Sequence, residues 1–167
     1  MGRLETDRLI LSLYTDRDKG SFIELLTDPM VMRYVDHGPL SPNQAESLWQ
    51  KLMHEFYPDG VETIWAVFAK DDGRYVGNAS LQPRPERQQD WEVGYYLRPD
   101  EWGMGFATEI ASRLINYGFE VAGLDQVFAT VDKNNKVSIH VLEKCGLKLF
   151  RKEFSDQEVF FVYRIKR

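Results

Sequence analysis

The chain contains one cysteine, no long hydrophobic run and no excess of basic residues, and each absence excludes a class of protein. A single thiol, Cys145, cannot form an intrachain disulfide or a cysteine-based zinc site. No apolar stretch approaches the roughly 20 residues that a helix needs to cross a membrane. Because 21 basic residues stand against 26 acidic ones, for a net charge of −5, we expect no nucleic-acid partner and no membrane docking.

The short N-terminal segment and the three histidines lead to two further expectations. Residues 1–6 contain no apolar run, so we expect no secretory signal and a cytoplasmic location. The three histidines show no i, i+4 spacing, so we expect no metal site. The acidic balance favours a cationic partner, for example an amine.

The residues that are present predict one α+β domain over residues 1–167. Hydrophobic residues make up 43% of the chain, which is enough for a buried core. The order is mixed: a strand, two or three helices, three strands, a helix, a strand, a helix and two strands. The predicted strands cover residues 8–13, 64–69, 75–81, 92–97, 127–131, 147–154 and 159–165. The predicted helices cover residues 18–26, 30–34, 42–56, 107–121 and 137–145, and residues 82–90 are predicted to form a surface loop.

Residues 92–108 combine a strand, a loop with two glycines and the start of a helix at Ala107. The first turn of a helix has unpaired N–H groups and a partial positive charge. Gly103 and Gly105 let the backbone close around an anion, so the pattern predicts a phosphate cradle. A tight turn without a ligand is the alternative that the pattern leaves open.

Two phosphate-binding motifs fit this loop poorly. A P-loop requires Gly-Lys-Ser/Thr where the chain has Gly105-Phe106-Ala107. A dinucleotide fingerprint requires a third glycine where Thr108 stands. A nucleotide-binding oxidoreductase therefore depends on Gly103-x-Gly105 alone.

The loop resembles the acetyl-CoA loop of the Gcn5-related N-acetyltransferases (GNAT), whose signature is Gln/Arg-x-x-Gly-x-Gly/Ala. Here it reads Trp102-Gly103-Met104-Gly105-Phe106-Ala107. A tryptophan in the first position is typical of the ribosomal-protein alanine N-acetyltransferase (RimJ/RimL-like) branch, whose run is Trp-Gly-x-Gly-Tyr-Ala-Thr-Glu. Phe106 stands here in place of the tyrosine.

Two other segments resemble the same branch. Residues 135–147 are similar to its Asn-x-x-Ser-x-x-Val-Leu-Glu-Lys-x-Gly-Phe motif, with His140 where arginine is usual and Leu147 where phenylalanine or methionine is usual. Residues 5–11 and the following Ser12 are similar to its Thr-Glu-Arg-Leu-x-Leu-Arg opening, with Asp7 in place of glutamate and Ser12 in place of arginine. The three motifs stand in the family's order along nearly the whole chain.

The resemblance implies a mixed, largely antiparallel sheet of six to seven strands with about four helices, splayed between strands four and five. It also implies acetyl-CoA as the acetyl donor. The pantetheine arm would bind the backbone of Tyr96 and Leu97 and the side chain of Asn135. The pyrophosphate would bind the glycine loop and the first turn of the following helix, formed by Trp102, Gly103, Met104, Gly105, Phe106, Ala107 and Thr108.

The resemblance further implies direct attack by a primary amine of a protein N-terminus or a small molecule, without an acyl-enzyme. Cys145 is then no nucleophile, and we expect it to be buried. Glu92 is the candidate base, and a solvated or substrate-positioning residue is its alternative. Ser138 is the candidate proton donor to the leaving thiolate, and its alternative is a hydroxyl that stabilises the first turn of a helix. Tyr95, Tyr96 and Tyr117 are less favoured donors.

A catalytically silent acyl-CoA-binding module is the alternative function, and we expect either a monomer or a homodimer.

Overall fold

The computed structural model describes residues 2–60, 63–84, 87–155 and 158–167. The described chain forms a mostly antiparallel sheet and four α-helices, which confirms the predicted mixed α+β class. The elements are β1 (Arg3–Glu5), β2 (Leu9–Ser12), α1 (Lys19–Thr27), α2 (Pro42–Lys51), β3 (Ile64–Ala69), β4 (Tyr75–Arg84), β5 (Arg87–Leu97), α3 (Phe106–Glu120), β6 (Gln126–Asp132), α4 (Lys136–Lys144), β7 (Lys148–Ser155) and β8 (Glu158–Lys166).

The chain forms two compact units. The first comprises residues 1–79 and 96–104, and the second comprises residues 80–95 and 105–167. Strands β4 and β5 run through both units. A single domain over residues 1–167 stays a prediction.

In the first unit the strand order is β1-β2-β3-β4-β5. β1 was not predicted, and it brings the number of strands to eight instead of six or seven. Thr6 forms the turn that leads into β2, since its hydroxyl accepts a 2.9 Å hydrogen bond from the Leu9 amide. Leu4 is buried between exposed Arg3 and Glu5, and three residues are too few to show a strand's alternation in the sequence.

Helices α1 and α2 contribute to an aromatic core in the first unit. The Tyr14 ring lies 5.2 Å from Phe22 and 5.8 Å from Trp49, both in edge-on geometry. Ser41 begins α2 as predicted, because its Oγ accepts a 3.3 Å hydrogen bond from the Gln44 amide. A π-helical turn over Leu52–Phe56 continues α2 to the predicted end of that helix.

The short helix predicted over residues 30–34 is wrong, because these residues form turns. The Asp28 carboxylate accepts a 2.7 Å hydrogen bond from the Met30 amide. The Asp28 carbonyl accepts a 3.0 Å bond from Met32, and the Met32 carbonyl accepts a 3.1 Å bond from Val35. The bond from Met32 spans four residues, as in an α-helix, but the next bonds, from Val35 to Met32 and from Gly38 to Val35, span three, so the segment forms successive turns.

In the second unit the strand order is β4-β5-β6-β8-β7, and α3 packs closely on β6. A Cβ atom on Gly118 would lie 3.1 Å from Cγ2 of Val127, so this glycine sets how near the helix approaches the strand. β6 and β8 pair antiparallel over seven residues, from Gln126–Lys166 to Asp132–Phe160.

The surface loop predicted over residues 82–90 is wrong where the structure describes it. β4 continues to Arg84 and β5 begins at Arg87, while residues 85 and 86 lie outside the described chain. Pro83 is exposed near the end of β4, a position where a strand tolerates proline. Asp90 is buried on β5. Two prolines in a polar segment indicated a loop, but the pairing of the two strands outweighs that local signal.

Candidate active site

Glu92 lies where β5 and β6 meet. The register between these two parallel strands has one pair in the described chain, Glu92 with Phe128, whereas β6 and β8 share seven. Two parallel strands that pair at a single position diverge on either side of that position. This is the splay that the resemblance implies, with β5 in the role of strand four because β1 adds one strand before it.

In the described residues, two side chains contact Oε2 of the Glu92 carboxylate, and the backbone amide of Thr130 also acts on this carboxylate. The Thr130 hydroxyl donates a 2.9 Å hydrogen bond to Oε2 from β6. Nε of Arg84, on β4, lies 3.4 Å from the same oxygen. Glu92 is half-buried, so these contacts hold a carboxylate that keeps some access to solvent.

Burial raises the pKa of Glu92 above its ordinary value, although the Thr130 hydrogen bond and the positive charge of Arg84 act in the opposite direction. Removal from water disfavours the charged form of a carboxyl group. A carboxyl group with a raised pKa takes up a proton more readily near neutral pH. Such a group suits general base catalysis better than an ordinary surface glutamate does.

Asn135 and Ser138 form the start of α4. The Oδ1 atom of Asn135 accepts a 3.1 Å hydrogen bond from the Ser138 amide, so Asn135 is the N-cap residue and Ser138 lies in the first turn. The cap uses the amide of Ser138, which leaves its hydroxyl for another role. Both residues are half-buried.

Ser138 influences a buried tyrosine on β5. Burial raises the pKa of Tyr95 to about 12, while the side chain of Ser138 acts to lower it. In the described part of the chain, the buried Tyr95 hydroxyl makes no hydrogen bond of good geometry, and the Ser138 side chain is the polar group that acts on it. Tyr95 therefore keeps its proton at neutral pH.

Glu92 and Ser138 are both in the second unit, on β5 and α4. No hydrogen bond joins them directly in the described residues.

The glycine loop is fixed at two points within the first unit. The Trp102 indole donates a 2.9 Å hydrogen bond from Nε1 to the Leu97 carbonyl oxygen. The Met104 carbonyl accepts a 2.9 Å hydrogen bond from Nη1 of Arg8. Trp102 and Met104 nevertheless stay 48% and 47% exposed. These two hydrogen bonds thus fix the backbone of the loop, while the side chains of Trp102 and Met104 stay partly exposed to solvent.

The conformation of this loop depends on the backbone of Gly103 and on the buried side chain of Glu101. Gly103 has a φ of +76°, a conformation that other residues rarely adopt, and a Cβ atom there would have no neighbour within 4 Å. Buried Glu101 pairs with Arg74, with Nε 2.8 Å from Oε1. Burying a carboxylate without such a partner would be costly.

Gly105 begins α3 in the second unit. It is the N-cap residue with a φ of +81°, and its carbonyl accepts the first intrahelical bond, 3.2 Å, from Glu109. Gly105 has no side chain that could cap the helix. The geometry of a first turn points the amides of Phe106, Ala107 and Thr108 out of the helix end. This end fits an anionic group.

Three other residues that the sequence analysis singled out are Tyr96, Leu97 and Cys145. Tyr96 packs against the aromatic core of the first unit, and Leu97 is buried. Cys145 is half-buried instead of fully buried, because it lies at the end of α4. Its Sγ lies 3.3 Å from the Ser112 hydroxyl and donates a 3.6 Å bond to the Thr108 carbonyl.

The sequence analysis did not identify Arg84, Thr130, Glu153 or Arg8 as functional residues. Arg8 stands inside the opening motif, so its place there could have signalled its contact with the glycine loop. Arg84, Thr130 and Glu153 come from three strands far apart in the chain. No local pattern could have brought them together around Glu92.

No helix in the described residues is long and apolar enough to cross a membrane. No group of three or more histidine, cysteine, aspartate or glutamate side chains in them is arranged to hold a metal ion.

Comparison with known proteins identifies the family. The sequence profile of the acetyltransferase (GNAT) domain matches residues 8–148. An uncharacterised N-acetyltransferase of Bacillus subtilis (strain 168), YoaA, is 32% identical over 151 residues, which are 90% of this chain and 83% of that protein. Spermidine N(1)-acetyltransferase of Escherichia coli (strain K12) is 31% identical over 127 residues, 75% of this chain and 65% of that one.

A solved structure shows the same fold. Spermidine N-acetyltransferase from Vibrio cholerae, crystallised with CoA and spermine, aligns over 95% of each chain with a TM-score of 0.80 and 22% identity. With its splayed sheet and the profile match over residues 8–148, this chain belongs to the GNAT family and is an acetyltransferase of that family.

Proposed function

We propose that this chain transfers an acetyl group from acetyl-CoA directly to a primary amine while both substrates are bound. In this proposal Glu92 accepts a proton from the amine and Ser138 donates a proton to the leaving thiolate. The observation that carries the proposal is a half-buried carboxylate at the single register pair between β5 and β6.

The proposed reaction needs one proton acceptor and one proton donor. The amine nitrogen forms a bond to the thioester carbonyl carbon, the carbon–sulfur bond breaks, and the proton lost by nitrogen passes to Glu92 directly or through water. The raised pKa of Glu92 supports this role, since a base is most effective when its pKa lies near the working pH.

Ser138 is the proposed donor on the side of the thiolate. Its amide is used by the Asn135 cap, so the cap does not involve the hydroxyl that is proposed to donate to the leaving sulfur. The neighbouring Tyr95 hydroxyl keeps its proton at neutral pH, so it does not compete as a base. The proton that Ser138 gives up is replaced from solvent.

Acetyl-CoA would bind along the loop and the two helix ends described above. The first turn of α3, with Gly105 as its cap, fits a pyrophosphate, and the open space over Gly103 allows a ligand to approach the backbone. The residues proposed to hold the donor are Tyr96, Leu97, Trp102, Gly103, Met104, Gly105, Phe106, Ala107, Thr108 and Asn135. Bound there, acetyl-CoA supplies the activated acetyl group.

The proposed acceptor is a primary amine, either a small molecule or a peptide N-terminus. The net charge of −5 favours a cationic acceptor, and two of the proteins named above are spermidine acetyltransferases, one of them crystallised with spermine. Membership of the RimJ/RimL-like branch, a cytoplasmic location and a monomeric or homodimeric state are further parts of the proposal.

The experiment measures CoA release from acetyl-CoA with a panel of amines. The panel contains spermidine, a peptide with an N-terminal alanine, and the same peptide with its N-terminus blocked as the matched control. We expect release with at least one free amine and none with the blocked peptide. Saturable acetyl-CoA binding without release by any free amine would contradict the proposal.

A further inference from the structure

Arg84 joins Glu92 to a second carboxylate on a distant strand. Nη2 of Arg84 lies 2.7 Å from Oε2 of Glu153, on β7, whereas its Nε lies 3.4 Å from Glu92. The Arg84 side chain is only 13% exposed. A guanidinium this deeply buried has its position set by the carboxylates around it, and the shorter contact is the one to Glu153.

Glu153 is itself held from the side opposite Arg84. Nε and Nη2 of Arg151 lie 2.8 Å and 2.7 Å from its Oε1, so each carboxylate oxygen of Glu153 has one arginine. Although burial acts to raise the pKa of Glu153, the two arginines hold it below its ordinary value. Glu153 therefore remains charged and keeps its hold on Arg84 throughout the neutral range.

The four side chains form one row of alternating charge: Arg151, Glu153, Arg84 and Glu92. Thr130 closes the row with its hydrogen bond to Oε2 of Glu92. The side chains of Thr130 and Arg84 both contact Oε2 of Glu92, so the row ends on this one oxygen of the carboxylate.

We propose that Arg84 and Glu153 are positioning residues for the base: Glu153 holds Arg84, and Arg84 and Thr130 hold Oε2 of Glu92, so that the carboxylate is oriented to receive the proton from the amine. This inference rests on the proposed function. Because Arg84 is shared between the carboxylates of Glu92 and Glu153, it orients Glu92. It neutralises the negative charge of Glu92 less fully than an arginine paired with Glu92 alone would.

The two positioning residues affect the pKa of Glu92 in opposite directions. The charge of Arg84 acts to lower it and the charge of Glu153 acts to raise it. The other groups that face Glu92 are the hydroxyl and the backbone amide of Thr130, which also lower its pKa. Replacing each charged partner by a neutral side chain of similar size should therefore shift the titration of Glu92 in opposite senses.

The experiment follows the Glu92 carboxyl carbon by NMR in ¹³C-labelled full-length protein, with Glu92→Gln identifying the signal. We expect Glu153→Gln to lower the midpoint of the Glu92 titration and Arg84→Met to raise it. Lys152→Met is the control, because Lys152 precedes Glu153 on β7 but lies over the Phe161 ring, 5.6 Å from its centre. It should leave the midpoint where it is.

A kinetic measurement adds a second readout. The acidic limb of the kcat/KM profile should move with the Glu92 midpoint in each variant. Loss of orientation in Arg84→Met should lower kcat by about tenfold or more with little change in acetyl-CoA affinity. If Arg84→Met does not fold, Glu153→Gln carries the test, since its side chain is 35% exposed.

A Glu92 midpoint that stays unchanged or rises in Glu153→Gln would overturn the inference, even in an active enzyme. Shifts in the same direction in both variants would overturn it as well. Opposite shifts in a protein that acetylates no amine would support the coupling and contradict the proposed function. The two failures are therefore distinguishable.

Discussion

The indole nitrogen of Trp102 donates a hydrogen bond to the carbonyl oxygen of Leu97, 2.9 Å away. This bond ties the glycine loop back to the end of β5, five residues earlier. The Leu97 carbonyl is one of the groups expected to contact the pantetheine arm, and a carbonyl oxygen can accept two hydrogen bonds. Trp102 thus connects the proposed pyrophosphate loop to the strand proposed to hold the rest of the donor.

Trp102→Phe tests this connection. Phenylalanine keeps an aromatic ring in the loop but cannot donate to Leu97, and one hydrogen bond contributes about 1 kcal/mol. We expect the Kd for acetyl-CoA to rise about fivefold. Calorimetric titration measures the change, and Val121→Ala, which alters an exposed side chain outside the proposed donor-binding residues, is the control. Equal affinity in Trp102→Phe and wild type would show that this bond does not organise the loop for binding.

Asn135 has two separable roles, the cap of α4 and the proposed contact with the pantetheine arm. Asn135→Ala removes both, so we expect about 1 kcal/mol of lost stability together with weaker acetyl-CoA binding. Asn135→Ser keeps a capping oxygen but removes the amide, so it should weaken binding while the Tm stays near that of wild type. Thermal melting with and without acetyl-CoA separates the effects. If Asn135→Ser bound acetyl-CoA with wild-type affinity, Asn135 would act only as the cap of α4 and not as a contact for the pantetheine arm.

Gly77 allows a close approach of the backbone to Tyr96. A Cβ atom at this position would overlap the Tyr96 carbonyl oxygen and lie 2.9 Å from Cα of Leu97. We therefore expect Gly77→Ala to lower stability by about 1–3 kcal/mol and to weaken acetyl-CoA binding by displacing β5.

Gly20→Ala is the matched control for Gly77→Ala, because Gly20 lies in α1 and its Cβ would have no neighbour within 4 Å. In a helix this substitution should instead stabilise the protein, by about 0.5–1 kcal/mol. Chemical denaturation measures both changes. Equal effects of the two substitutions would contradict the close approach at Tyr96.

The raised pKa of Glu92 predicts how its replacement changes stability with pH. A folded-state pKa above the unfolded value means that the group's contribution to stability is fully present below the unfolded pKa and is lost as pH rises through the folded one. Glutamine resembles the protonated carboxyl group at every pH. The Tm of Glu92→Gln relative to wild type should therefore increase from about pH 4 to about pH 8.

Glu153→Gln should show the opposite trend. Its folded-state pKa is lowered, so its contribution to stability is present above the unfolded pKa and is lost as pH falls through the folded one. Glu153→Gln should lower the Tm at neutral pH and lower it less in acid. Parallel trends in the two variants would contradict the assigned directions.

The sequence predicts best those elements that have a local signature. Ser41 followed by proline predicted the start of α2, and the apolar spacing of residues 107–121 predicted α3 to within one residue at each end. Glu92 was predicted through the resemblance, and its position at the β5–β6 pair agrees with the expected splay.

The sequence failed where longer-range contacts outweigh a local pattern. Strand pairing extends β4 and β5 into the predicted loop, and residues 30–34 form successive turns although their local pattern indicated a helix. The row of charges that ends at Glu92 was not predictable either. Arg84 and Glu153 are separated by 69 residues, and only the fold brings them to 2.7 Å.

The most direct test of the proposed mechanism is the turnover of Glu92→Gln with a saturating amine across the pH range, measured together with its affinity for acetyl-CoA. If Glu92 takes the proton from the amine, kcat should fall by about 10²-fold or more and lose its acidic limb, while the Kd for acetyl-CoA stays near that of wild type. Wild-type turnover of Glu92→Gln at every pH would contradict the proposal, since it would show that another group or water removes the proton.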